Sequence, residues 1–245
     1  MAGCGHAQTP RAFAGWAWVV ASGDNEAAHE DTPTEAFDNA RRDVVAAFEA
    51  RGFDSGSLAQ FSVEPAKHGG APLMESEPRA IFRTLGELAA RSRAGCLLYI
   101  TSHGSPDGVV VGEYIAPPAL MAKAVNRACG SRPTAVIISA CFSGVFIPAL
   151  SGPNRFVLTA ARRDRSSFGC GESDRYPFFD GCVIESLPLS TDFIDLAART
   201  RACVAKREDE EDMRPRSQPQ LSVGPAFRRL APAFSGGGGG GAGGR

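Results

Sequence analysis

The sequence predicts an α/β protein, with about six mostly parallel strands in one sheet and helices on both faces. Three observations predict it. Short apolar runs alternate along the chain with stretches whose apolar residues recur at helical spacing. The runs are apolar on both faces, as strands of a covered parallel sheet are. The intervals between them hold a crossover helix, which parallel neighbours require.

The elements follow in order. Residues 13–22 (F-A-G-W-A-W-V-V-A-S) read as a first buried strand ending at Gly23-Asp24. Asp31-Thr32-Pro33 offers an N-cap and a first-turn proline. Phe37, Ala40, Val44 and Phe48 then share a helical face until Gly52 ends the helix. Residues 58–63 are a second strand. Glu77-Pro78 opens a helix with Ile81, Leu85 and Leu88 on one face and Gly95 as its stop. The third strand is 96–101, a short hairpin is expected at 108–111, and 117–129 is helical with Leu120, Ala124 and Ala128 in register. Strands follow at 135–140 and 155–160. A polar loop at 162–175 leads to helices at about 178–187 and 192–206. The charged run 207–216 reads as a solvated helix end or loop, and 220–223 as a final edge strand.

At 245 residues the chain suits one domain, 13–234, after an N-terminal extension at 1–12. The tail 235–245 (S-G-G-G-G-G-G-A-G-G-R) has almost nothing to bury and is expected to be disordered. A formal charge of −1 predicts no broad nucleic-acid footprint. The basic cluster 162–165 (R-R-D-R) reads as a solvated loop. No apolar run approaches the roughly 18 residues that span a membrane. Met1–Cys4 (M-A-G-C) resembles the end of a bacterial lipoprotein signal, but nothing charged or apolar precedes it. As written, the chain is expected to be soluble without a signal peptide, and a start upstream of Met1 would make it an exported lipoprotein.

The seven cysteines are odd in number and contain no C-x-x-C pair, which argues against a zinc site. At least one thiol has no partner within the chain, and spacing leaves the pairing of the others open. Of the four histidines, His6, His29 and His68 lie in polar or turn-rich segments. Only His103 ends a buried strand, in L-L-Y-I-T-S-H-G. Cys141 ends the next, in V-I-I-S-A-C-F-S-G. Ligands of open α/β sheets sit past the carboxyl ends of the strands. Neighbouring parallel strands lie about 5 Å apart, so side chains rising from adjacent ends can face one another. A thiol needs such a base, because only the thiolate attacks well. Gly104 lets a substrate carbonyl approach the backbone, where the N–H groups of Gly104 and Cys141 would receive an oxyanion. Ser102 and Thr101 are within reach of the imidazole, and no third catalytic residue stands out. The chemistry calls for no metal or organic cofactor.

At these residues the chain resembles the legumain, or asparaginyl endopeptidase, family of caspase-like cysteine peptidases. The matches are I-T-S-H-G at 100–104, S-A-C-F-S-G at 139–144 and L-T-A-A-R-R-D-R-S-S-F at 158–168. The likeness runs from about 16 to 187. It implies a caspase-like three-layer sandwich, with His103 as general base, Cys141 as nucleophile, and Gly104 with Cys141 as oxyanion hole. It also places Ser139, Ser166, Ser167 and Asp180 at the substrate pocket. Ser139 stands where the family carries an acid, and the family's Arg-His pair has no clear counterpart, Asn39 and Arg41 lying nearest. The lack of a long C-terminal segment resembles bacterial-type, stand-alone members. The expected activity is peptide-bond hydrolysis through a thioester, with a peptide or protein as partner and the oligomeric state open. A transamidase on the same site and a non-catalytic peptide-binding module are the alternatives.

Overall fold

The computed structural model describes residues 12–28, 32–68 and 72–235. Strands β1 (Trp16–Ser22), β2 (Leu58–Ser62) and β3 (Leu73–Glu75) flank helix α1 (Ala36–Ala50) in the chain. Helix α2 (Pro78–Arg91) leads into β4 (Gly95–Thr101). A small antiparallel sheet follows, made of β5 (Gly104–Ser105), β6 (Gly108–Val111) and β7 (Tyr114–Ala116). Then come α3 (Pro118–Cys129), β8 (Thr134–Ser139), α4 (Phe146–Leu150) and β9 (Arg155–Thr159). The chain ends in α5 (Phe178–Ser186), α6 (Phe193–Glu210), β10 (Gln220–Val223) and α7 (Pro225–Leu230). The main sheet has seven strands in the order β10-β9-β8-β4-β1-β2-β3, all parallel except β10.

Alternation along the strands builds the three layers. Trp16, Trp18 and Val20 of β1, Leu97 and Tyr99 of β4 and Ile137 of β8 pack under α1, α5 and α6. Their neighbours Ala17, Val19, Leu98, Ile100, Val136 and Ile138 pack under α2, α3 and α4. The central strands β1, β4, β8 and β9 are buried along their whole length.

Several expectations shift, each for a local reason. Residues 32–34 do not open α1, because they pair with the segment after β1: Ala27 N–H donates to Thr32 O and Thr34 N–H to Asn25 O. The Thr34 hydroxyl then accepts from Ala36 N–H at the true start. Asp31 lies outside the described residues. Gly52, with φ +104°, follows α1 as expected. Gly95 does not stop α2, which ends at Arg91; it opens β4, where a Cβ would sit 2.3 Å from the Trp16 indole. Phe13 makes a bridge to Phe53 rather than extending β1. The hairpin at 108–111 is the middle strand of three. The short, half-exposed β3 adds a strand that no apolar run announced. The charged run is not all solvated: α6 continues to Glu210, and buried Glu208 accepts from Ser217 N–H at 2.9 Å. Ser235 is tied down, accepting from Ala12 N–H and donating to Arg51 O. The rest of the tail, His6, His29 and the M-A-G-C segment lie outside the described residues. Among the described residues no helix is long and apolar enough to cross a membrane.

Among the described residues, one disulfide ties a helix to the sheet and a second joins two helices of one layer. Cys96–Cys129 joins β4 to α3, and Cys182–Cys203 joins α5 to α6. Loops of 33 and 21 residues closed in this way each stabilise the fold by about 3–4 kcal/mol in the chain-entropy account. Peptide mapping without reductant is expected to recover these two pairs. Reduction is expected to lower the unfolding midpoint, and an unchanged midpoint would contradict the pairing.

Candidate active site

The site is built where β4 and β8 end together. The two strands are parallel neighbours in register, with Thr101 opposite Ser139, and Ser102 N–H donates to Ser139 O at 3.0 Å. His103 and Cys141 each come two residues later, so equal steps from a level pair bring both past the sheet edge. Gly104 confirms the closeness: a Cβ built on it would lie 2.4 Å from Cys141 O and 2.9 Å from Ala140 Cβ. No side chain fits there, which gives the His-Gly sequence a steric cause.

His103 is half-buried. Its Nε2 lies 2.9 Å from Glu26 O, and the Phe37 ring meets the imidazole edge-on with centroids 5.0 Å apart. A carbonyl can only accept, so Nε2 carries the hydrogen and Nδ1 holds the lone pair in the neutral ring. Cys141 is also half-buried. Its sulfur accepts from Ser167 N–H at 3.2 Å and lies 3.6 Å from both Ser167 O and Ser167 Oγ. In this arrangement the thiol bonds to Ser167 and makes no direct hydrogen bond to His103.

The turn after Cys141 is held from outside. Phe142 adopts a left-handed backbone, φ 55°, which costs a bulky residue about 1–2 kcal/mol. Its N–H is fixed by Arg165 O at 2.8 Å. Buried Ser143 accepts from Ala161 N–H at 3.1 Å, and a Cβ on Gly144 would lie 2.5 Å from Arg163 N. The Ser-Gly of the motif thus docks the 161–167 loop against the thiol, which is how Ser167 reaches it. The cluster 162–165 supplies backbone here, while Arg162 pairs with Asp164 in solvent.

In the hairpin beyond His103, Val110 N–H donates to His103 O. Antiparallel pairs alternate between bonded and non-bonded, so the next pair, Gly104–Val109, is the non-bonded one. The Gly104 N–H is therefore not consumed by the ladder.

Ser166 is exposed and Ser167 half-buried beside the thiol. Ser139 and Asp180 lie beneath. Asp180, in the first turn of α5, is fully buried; its Oδ2 accepts from Thr101 Oγ1 and Ser139 Oγ, both at 2.7 Å, and its Oδ1 from the Tyr99 hydroxyl. Burial pushes this carboxyl up to about 6, against the opposing pull of the three hydroxyls. Of the residues nearest to a missing basic arm, Arg41 is spent on Asp38 and Gln60. Helix α1 instead sends Phe37 to the imidazole. The other free thiol among the described residues, Cys170, is buried and pushed up to about 12, chiefly by that burial, so it stays protonated at neutral pH. Sequence reasoning missed Glu26 O, Phe37 and Ser167 N–H as partners. The two backbone groups carry no residue signature, and the Phe37 spacing signals only a helix face.

A model of the Peptidase C13 family matches residues 87–187, which include His103, Cys141, Ser166 and Ser167. The fold is similar to the crystal structure of caspase-1 from Spodoptera frugiperda, with a TM-score of 0.61 and 12% identity over 91% of this chain and 92% of that one. Comparison with curated proteins finds no match. The architecture is thus caspase-like, and the class is cysteine peptidase. Within that class, residues 87–187 carry the similarity to the Peptidase C13 family that the motifs led one to expect.

Gly104→Ala forces its methyl into Cys141 O and is expected to cost about 1–3 kcal/mol of stability. It should also suppress peptidase activity at temperatures where the variant is still folded. Wild-type turnover by a folded Gly104→Ala protein would contradict the packing described.

Proposed function

We propose that the chain is an endopeptidase that hydrolyses peptide bonds through a Cys141–His103 dyad. The observation that carries this reading is the level ending of β4 and β8, which sets His103-Gly104 against the Cys141 backbone. With Nε2–H given to Glu26 O, Nδ1 is the nitrogen left to take the thiol proton. The thiol exchanges its Ser167 contact for His103, a tightening that catalytic pairs commonly complete only with substrate bound. The thiolate then attacks the peptide carbonyl carbon, and the carbonyl oxygen takes the negative charge between the N–H groups of Gly104 and Cys141.

Collapse of this intermediate breaks the C–N bond. The imidazolium proton goes to the leaving amine, and a thioester remains on Cys141. Water, losing a proton to His103, attacks the thioester and restores the thiol. Ser166 and Ser167 flank the side chain before the scissile bond, with Ser139 and Asp180 buried beneath them. With no acid at 139, and with Ser166 and Ser167 at its walls, the site favours a small or uncharged polar side chain there.

Cleavage of a peptide library by wild type, Cys141→Ala and His103→Ala tests the proposal. Each substitution is expected to lower kcat/KM at least about a thousandfold. Cleavage that survives both would exclude the dyad, and products joined to an added amine in place of hydrolysis would show a transamidase.

A further inference from the structure

We propose that Asp180 is a positioning residue: a buried clamp that holds the His103 and Cys141 strand ends level, and not a ligand of the substrate. This rests on the peptidase reading above. Thr101 and Ser139 face each other in register, each two residues before its reactive partner. Both hydroxyls donate to the same Asp180 oxygen, at the same 2.7 Å. The second oxygen takes Tyr99, one step back on the same face of β4. One carboxylate on one helix therefore spans the two strands at their last residues.

Because successive side chains alternate across a strand, slipping either strand by one residue would turn its hydroxyl to the opposite face and break the clamp. Asp180 and Thr101 are fully buried and Ser139 is 2% exposed, so a substrate side chain meets none of the three residues' polar side-chain atoms directly. Three donors on a carboxylate with about four acceptor positions leave little capacity for a fourth partner. The helix that carries Asp180 is itself fixed two residues on, where Cys182 is bonded to Cys203 of α6. The clamp is thus tied to α6, its neighbour in the same helical layer, as well as to the sheet.

The test separates positioning from substrate contact by using a probe with no peptide side chain. Rates of Cys141 alkylation by iodoacetamide, located by mass mapping, are compared for wild type, Thr101→Val, Thr101→Ser, Ser139→Ala and His103→Ala. Peptide kcat and KM are measured alongside, with circular dichroism to confirm folding. Misplacement of a reacting pair by about 1 Å can cost about a hundredfold. Thr101→Val and Ser139→Ala are therefore expected to slow alkylation and kcat at least about tenfold, with KM within about twofold. Thr101→Ser, which keeps the hydroxyl, should recover most of the loss. If Thr101→Val does not fold, Ser139→Ala decides alone.

Unchanged alkylation with altered KM or side-chain preference would make the cluster a substrate pocket and overturn the clamp. Unchanged alkylation and turnover in folded variants would leave it a stability element only, with the same result. Alkylation indifferent to His103→Ala is the separate sign that the dyad itself has failed, and it removes the pair the clamp would position.

Discussion

The pairing register of β4 and β8 is the constraint on which the rest depends. Thr101 opposite Ser139 sets the two strand ends at one height. The candidate pair then follows at equal counts: two residues on to His103, two to Cys141. Period-2 alternation puts Tyr99, Thr101 and Ser139 on the face covered by α5, where Asp180 waits. Apolar packing fixes that register, because a slip would turn Leu97 and Ile137 out of one core and into the other.

Around this axis the site is assembled mostly from backbone. Glu26 O sets the tautomer of His103, Ser167 N–H contacts the sulfur, and Arg165 O steadies the strained turn at Phe142. Such contacts survive only if the loops that supply them are anchored. Ser143 and Gly144 anchor the 161–167 loop, and the pairing of residues 25–27 with 32–34 anchors Glu26. The buried Asp180 cluster is the polar exception in an otherwise apolar layer. A carboxylate without water is costly unless its oxygens are bonded, and three hydroxyls meet that need. The other free thiol among the described residues, Cys170, is buried and stays protonated, which leaves Cys141 as the candidate nucleophile.

Much of this was legible in the residues. Apolar runs marked the central strands, because strands buried on both faces tolerate little else, and two of those runs stopped on His103 and Cys141. The motifs pointed to the family whose model matches residues 87–187, and Gly104 and Gly144 proved to be sites where the backbone leaves no space for a methyl group. What stayed illegible has a common cause. β3 is short and half-exposed, so it carries no apolar signature. The start of α1 depends on a non-local pairing across 25–34 that overrides a good capping sequence. The partners Glu26 O and Ser167 N–H belong to the main chain, which every residue shares. Disulfide pairing required three-dimensional neighbours that spacing does not disclose.

The most direct measurement is a crystal structure of the protein carrying a peptide aldehyde as a covalent adduct. The expected product is a thiohemiacetal on Cys141 whose oxygen lies about 3 Å from the N–H groups of both Gly104 and Cys141, with the His103 ring still bonded to Glu26 O. An adduct oxygen turned away from both N–H groups, or a bond formed at another cysteine, would contradict it.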